Sequence, residues 1–367
     1  MSYSSAQFSG LSALFKIDLK LFVLVTLIVI IGLATLFSVS GGDVNLIIKQ
    51  SIRIAVGLTA MIILAQIHPD NFRLFSPFLY FFGIILLVLT IFFGVGKSAD
   101  RWLDFYILRF QPSELMKLFI PLMIASFYSD KALPPKLKNL SIAVIIIVVP
   151  ALLIAKQPDL GTALLITSSG VIAIFLSGIK LAHIFLGTAL VIGAIPLLWS
   201  FMYEYQKSRV LSFFSPNTDA LGTGYHLAQS KISLGSGGLF GKGYMNGTQS
   251  QLDFLPENHT DFIFSAFGEE FGFIGVIILI SLYVLVVLRG MSISIKATDN
   301  FSRILSATLI LTIFLYVLVN VGMVVGILPI VGAPLPFMSY GGTSMLTVFA
   351  ALGIIMSIKS HQRLLRK

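Results

Sequence analysis

The chain has 367 residues, 56% of them hydrophobic and 11% charged, with a mean hydropathy of +0.95. A water-soluble domain carries roughly a quarter charged residues, so this composition excludes an ordinary soluble fold and makes the bilayer the solvent. The net charge of +9 comes with no basic run interleaved with aromatics, which argues against a nucleic-acid partner, and the absence of cysteine excludes disulfides, thiolate metal sites and cysteine nucleophiles.

Lipid offers backbone N–H and C=O groups no water, so runs of about 20 apolar residues are expected to span as helices. The N-terminus, MSYSSAQFSGLSALFKIDLK, is polar and lacks a cleavage site after a short apolar core. It is predicted to be a cytoplasmic tail over 1–19, not a signal peptide. Ten spans are predicted, at about 20–39, 47–66, 75–95, 114–128, 140–156, 160–178, 182–201, 262–288, 303–325 and 341–358. The second carries Lys49 and Arg53, the fourth is short and opens on Glu114 and Lys117, and the seventh runs into Tyr203, Glu204 and Tyr205.

An even number of spans puts both termini on one side. That side then holds 14 of the 25 basic residues, all in short segments, while eight of the other 11 fall in the longer loops 96–117 and 202–261. Short segments weigh most in the positive-inside rule, so both termini, including the tail 359–367, are predicted cytoplasmic. The expected fold class is an all-α polytopic integral membrane protein, one membrane domain over 1–367. It has ten transmembrane helices and a large extracytoplasmic loop, 202–261, between helices seven and eight. Within that loop YHLAQSKISL is predicted to form a short helix lying at the membrane interface.

Five stretches concentrate polar or irregular residues. In RWLDFYILRFQPSELMK, residues 101–117, Glu114 and Lys117 are three apart and share a helix face, where they can pair. Such a pair closes the end of a short span or marks a site within the membrane. Arg101 and Arg109 are suited to an anionic headgroup or diphosphate, or to ordinary lipid phosphates. KQPDLGTALL, residues 156–165, places Lys156 and Asp159 in a tight outer turn, with Asp159 a good N-cap and Lys156 able to snorkel.

LGSGGLFGKGY fails as a phosphate loop, because Lys242 is followed by Gly243 and not by Ser or Thr. Its glycines are expected to form turns. In LDFLPENHTDFIFSAFGEEFGF, residues 252–273, Asp261 is predicted at the outer mouth of the eighth helix, placed to cap it or to act as a base. Glu269 follows eight residues later, about 80° around and roughly 12 Å deeper, with Glu270 nearly opposite Asp261. Buried carboxylates need partners, expected among Lys117, Arg53, backbone donors or water. His259 reads as a surface or interface histidine, and the five histidines have no metal-triad spacing.

GILPIVGAPLPFMSYGGTSML, residues 326–346, is rich in proline and glycine, and irregular backbone at membrane depth is tolerated where it lines a cavity or is covered by protein. Gly322 and Gly326 have GxxxG spacing, expected to bring helices close. The residues alone support an outward-facing polar site built from loops 96–117 and 202–261. A channel, a transporter and a lipid-linked transferase all remain open.

RWLDFYILRFQPSELMK, KQPDLGTALL, LGSGGLFGKGYMNGTQSQLDFLPENHTDFIFSAFGEEFGF and PLPFMSYGGTSML, in this order, resemble the SEDS family (shape, elongation, division and sporulation proteins). GTQSQLDFLPENHTDFIF is more similar to the RodA branch (elongation) than to the FtsW branch (division). The chain departs from the family pattern at Asp104, Phe105 and Tyr106, where a glycine is usual, and at His226, where glutamine is common.

The resemblance implies a bacterial peptidoglycan glycosyltransferase of the inner membrane that polymerises lipid II into β-1,4 glycan strands at the outer face. The implied partner is a class B penicillin-binding protein, which supplies the transpeptidase. Asp261 matches the family's essential carboxylate and is the expected general base of an inverting displacement that releases undecaprenyl diphosphate. Trp102, Glu114, Lys117 and Asp159 match family positions that matter for activity. Arg101, Arg109 and Glu257 complete the expected substrate-binding set. Arg101, Arg109 and Lys117, or a divalent cation such as Mg²⁺ or Mn²⁺, would stabilise the leaving diphosphate. The rival is a lipid II flippase with an inner cavity lined by Lys117, Glu269 and Arg53.

Overall fold

The computed structural model describes residues 16–96, 101–104, 109–214, 223–251 and 258–361. In chain order its elements are α1 (Leu19–Val39), α2 (Val44–Gln66), α3 (Pro69–Phe93), the strands β1 (Leu103–Asp104) and β2 (Arg109–Phe110), α4 (Pro112–Ser129), α5 (Leu137–Lys156), α6 (Leu160–Leu176) and α7 (Leu181–Phe201). There follow α8 (Glu204–Phe214), α9 (Thr223–Ser236), α10 (Thr248–Gln251), α11 (Ile263–Ile295), α12 (Asn300–Val325) and α13 (Thr343–His361).

Every predicted apolar run is helical. Seven helices, α1, α2, α3, α5, α11, α12 and α13, are long and apolar enough to cross a membrane. The chain is therefore a multi-pass membrane protein. Among the described residues the α-helical frame also carries a short antiparallel pair, in which Leu103 faces Phe110 and Asp104 faces Arg109, and an isolated bridge between Val95 and Trp102.

The helix starts follow local chemistry. Asp18, Asp43, Asp159 and Asp299 each accept a backbone N–H of the first turn, and Pro69 and Pro112 open α3 and α4, where a proline costs no hydrogen bond. Buried helices α4, α12 and α13 form the centre, with α3, α5, α6, α2 and α11 packed around them. Among its described residues α7 buries none.

At one end of the bundle the fully buried carboxylate of Asp18 clasps three helices. Arg289 of α11 donates to it through Nε at 3.2 Å and Nη2 at 2.7 Å, and Lys359 of α13 donates to Oδ2.

Helix α11 is broken at Gly272, which sits at φ 67°, ψ −168°. A continuous helix would join Phe273 N–H to the Glu269 carbonyl and Ile274 N–H to the Glu270 carbonyl. Both bonds are exchanged with the glycine-rich loop. Phe273 and Ile274 donate to the carbonyls of Gly238 (2.9 Å) and Leu239 (3.2 Å), while the amides of Lys242 and Gly243 donate to the carbonyls of Glu269 (2.9 Å) and Glu270 (3.0 Å).

This interlock corrects the expectation that the loop glycines serve only turns. A Cβ on Gly237 would lie 2.2 Å from the Gly268 carbonyl oxygen, and one on Gly241 would lie 2.0 Å from that of Glu270. Glycine is required because two backbones touch.

Helix α9 contains the predicted YHLAQSKISL helix. It packs into the bundle, with Leu227, Ser230 and Ser233 buried and the Ser230 hydroxyl donating to the Val324 carbonyl at 2.9 Å. Of the GxxxG pair only Gly326 meets another helix. It ends α12 in the left-handed conformation at φ 81°, and a Cβ there would stand 2.0 Å from Lys231 Cε and 3.3 Å from Leu227 of α9. The space beside Gly322 is taken by Leu328, just past the same helix.

Candidate active site

Asp261 lies in the turn that leads into α11. Phe262 directly precedes that helix. The backbone of Asp261 is held in place. Asn320 of α12, fully buried, donates through Nδ2 to the Asp261 carbonyl at 2.8 Å and to the Ala333 carbonyl at 2.7 Å. The Ser339 hydroxyl donates to the Thr260 carbonyl at 2.6 Å, and the Tyr340 amide to the His259 carbonyl at 2.9 Å. The proline- and glycine-rich segment 326–342 is thus the wall against which Asp261 is set, as irregular backbone covered by protein. Gly332, at φ +77°, lies beside the carboxylate: a Cβ there would stand 3.5 Å from the Asp261 Oδ2, in ordinary contact.

The same wall reaches Asp159. The Val331 carbonyl oxygen lies 2.3 Å from where a Cβ on Gly161 would be, two residues past Asp159. Asp159 caps α6 by accepting from the Thr162 amide at 3.1 Å and hydroxyl at 3.0 Å. It also accepts from Gln111 Nε2 at 3.0 Å and faces Arg101 Nη1 at 3.7 Å, while Arg101 Nη2 donates to the Pro158 carbonyl. Asp159 therefore caps its helix, as expected, and also pairs with a cation, Arg101.

Below this layer, Lys117 Nζ donates to Glu114 Oε1 at 2.5 Å and lies 4.4 Å from the Tyr316 ring centre. Thr347 donates to Glu114 Oε2 at 3.3 Å. Both charged groups are buried, so the pair expected from their spacing forms within the bundle. Lys117, Tyr316, Thr347 and Ser339 line a cavity of about 40 Å³, large enough for a few waters at roughly 10–15 Å³ each. Its other walls are largely apolar and come from α12, α13 and residues 334–337.

Trp102, just before β1, meets Arg109 of β2, the guanidinium 5.7 Å from the indole centre. Glu257 lies outside the described residues. Among the described residues no three carboxylate or imidazole side chains converge as a ligand set for a divalent cation.

A family model described as "Cell cycle protein", FtsW/RodA/SpoVE, matches residues 12–364. The chain belongs to this family. Among FtsW/RodA/SpoVE proteins it is similar to peptidoglycan glycosyltransferase MrdB of Escherichia coli (strain K12), at 48% identity over 95% of this chain and 94% of that one. It is 32% identical to stage V sporulation protein E of Bacillus subtilis (strain 168), over 94% of this chain and 98% of that one.

Two solved structures share the fold. One describes how a peptidoglycan synthase complex coordinates polymerization and crosslinking; its matching chain has a TM-score of 0.82 at 27% identity, covering 94% of this chain and 98% of that one. The other is the rod shape determining protein RodA of Thermus thermophilus, with a TM-score of 0.72 at 26% identity over 95% and 98%.

Partners expected for the acidic pair of this FtsW/RodA/SpoVE chain need correction. Glu269 meets neither Lys117 nor Arg53. It accepts from Lys242 Nζ at 2.7 Å, the Gln249 amide at 3.1 Å, and the hydroxyls of Thr248, Ser233 and Ser236. The expected backbone donor is present, and the cation comes from the glycine-rich loop. Glu270 accepts from the Ser38 hydroxyl of α1. Arg53 stacks over Tyr340, 4.3 Å from its ring centre.

Sequence reasoning missed Tyr316, Asn320, Gln111 and Thr347. Thr312, Tyr316 and Asn320 recur every four residues on one face of α12, where Thr312 also donates to Ser169 of α6 at 2.9 Å. Four-residue spacing of polar groups in an apolar helix was the available signal.

Proposed function

We propose that this peptidoglycan glycosyltransferase polymerises lipid II into β-1,4 glycan strands, with Asp261 as general base. The chemistry is one in-line displacement that inverts the anomeric carbon. The 4-hydroxyl oxygen of the acceptor sugar bonds to C1 of the donor, the C1–oxygen bond to the diphosphate breaks, and the hydroxyl proton passes to the Asp261 carboxylate. Undecaprenyl diphosphate departs with the electron pair. A positioned base of this kind contributes about 10²–10⁴-fold.

The observation that carries this reading is the seat of Asp261: its backbone carbonyl is held by Asn320 and its neighbours His259 and Thr260 are held by residues 339–340, with its carboxylate beside Gly332. Arg101, paired to Asp159, and the exposed Arg109, beside Trp102, are the cations for the leaving diphosphate. Lys117 is committed to Glu114 and Tyr316, so it acts on substrate through the cavity it lines.

In this reading the chain has ten spans, both termini in the cytoplasm and the 202–261 loop outside, which would put the site at the outer surface of the inner membrane, where lipid II sugars are presented. A class B penicillin-binding protein supplies the crosslinking partner. Similarity to a chain of a peptidoglycan synthase complex supports that pairing.

The flippase reading has less support, because its three residues point to different neighbours. Lys117 lines the cavity with Tyr316, Glu269 binds Lys242, and Arg53 stacks on Tyr340. The deciding experiment is polymerisation of purified lipid II by the chain with a cognate transpeptidase. Native protein should make glycan and Asp261→Asn should make none; polymer from that variant would overturn the assignment of the base.

A further inference from the structure

The glycine-rich loop that plugs the break in α11 is inside out. Its outward side chains are apolar or aromatic: Leu239 is 62% exposed, Phe240 79%, Tyr244 43% and Met245 39%. Its cation turns inward, Lys242 donating to the fully buried Glu269 and to the Thr248 hydroxyl at 2.7 Å. A loop in water shows the opposite polarity, with lysine outside and aromatics tucked away.

The backbone follows the rule for a solvent that cannot hydrogen-bond. The break at Gly272 frees two amides and two carbonyls of α11, and the loop pairs all four. Its exposed apolar side chains also continue a surface already facing lipid. Gly238 and Leu239 bond to Phe273 and Ile274, which begin a stripe of exposed apolar residues with Ile277 and Ile278 on a spanning helix. On the other flank Tyr244 donates its hydroxyl to the Ala34 carbonyl of α1, another spanning helix, at 3.0 Å.

We infer that residues 238–245 form a wedge embedded among the lipid acyl chains of the leaflet on the 202–261 side, Leu239, Phe240, Tyr244 and Met245 contacting lipid while the backbone seals the α11 break. This goes beyond the proposed reaction and does not depend on it. Eight and nine residues before Glu269 and Glu270, the same segment carries Asp261. A wedge locked to those glutamates therefore sets the depth of the α11 start relative to the bilayer.

The chain has no cysteine, so a single introduced thiol reports its own surroundings. Phe240→Cys and, as a water-exposed reference, Glu204→Cys are reconstituted in phosphatidylcholine vesicles and treated from outside with a membrane-impermeant maleimide; only chains with the reference site outward are scored. Phe240→Cys should react more slowly by on the order of tenfold. Labelled with a small environment-sensitive fluorophore before reconstitution, it should be quenched by doxyl groups on the acyl chains and not by aqueous iodide. Equal labelling rates with quenching by iodide would overturn the proposal. Slow labelling without doxyl quenching would place protein, not lipid, over the loop, and would also overturn it. Leu239→Cys repeats the test if Phe240→Cys lowers the unfolding temperature.

Discussion

Asn320 reaches out of α12 to hold two carbonyls at once, that of Asp261 at 2.8 Å and that of Ala333 at 2.7 Å. One amide thereby fixes the turn carrying the proposed base to the irregular segment that walls it. Positioning of this kind matters because a displacement of about 1 Å can cost a hundredfold in rate.

Asn320→Leu removes both donors while keeping the volume of the side chain. Two carbonyls lose a partner, at roughly 1–3 kcal/mol for each that stays buried and unsatisfied. The expected outcome is a lower unfolding temperature in detergent together with a large fall in glycan synthesis. A variant that is less stable but polymerises at the native rate would show that the turn does not need this anchor.

Glu114 and Lys117 test whether a buried ion pair serves structure or substrate. Removing one partner leaves a buried charge, which costs about 3–5 kcal/mol, so Lys117→Met and Glu114→Gln should each destabilise the chain strongly. The double variant should recover stability. If it folds, binds its partner and still fails to polymerise lipid II, the pair acts on substrate; full activity would leave it a structural element.

Asp18 gives a stability signature in pH. Burial raises its pKa, but the hydrogen bonds from Arg289, Lys359 and the Leu21 amide outweigh that, leaving it at about 2 against 3.8 unperturbed. A depressed carboxylate pKa contributes stability that is complete above the unfolded value and lost as pH falls through the folded one. Thermal unfolding followed from pH 7 to pH 2.5 should therefore show an extra loss below about pH 4. Asp18→Asn should start less stable and lack that loss. An identical low-pH slope in both proteins would contradict the clasp.

Gly272→Ala probes the interlock. Alanine is strained at φ 67°, and its Cβ would stand 2.2 Å from the Gly241 amide nitrogen. Because both neighbours are backbone, relief requires moving the loop, at a cost on the order of several kcal/mol. Expression in the membrane should drop sharply. A native unfolding temperature would mean that the two backbones do not meet in this way.

Hydropathy and cap residues, by themselves, determined where the helices lie. In lipid the backbone must satisfy itself, so a long apolar run has one outcome, and Asp18, Asp43, Pro69, Pro112, Asp159 and Asp299 mark the starts through bonds made within a turn. The Glu114–Lys117 pair was legible for the same reason, since a three-residue spacing on a helix fixes neighbours locally.

Tertiary structure alone decided what the isolated polar groups meet. Glu269 took Lys242 because the glycine-rich loop folds back onto the break in α11, a long-range backbone exchange with no local period. Asn320 and Tyr316 became neighbours of Asp261 and Lys117 only once α12 packed against α4 and the 326–342 segment. Helix position is written in short-range hydrogen bonding and solvent preference. The partner of a buried charge depends on which segments fold into contact, and residues far apart in the chain settle that together.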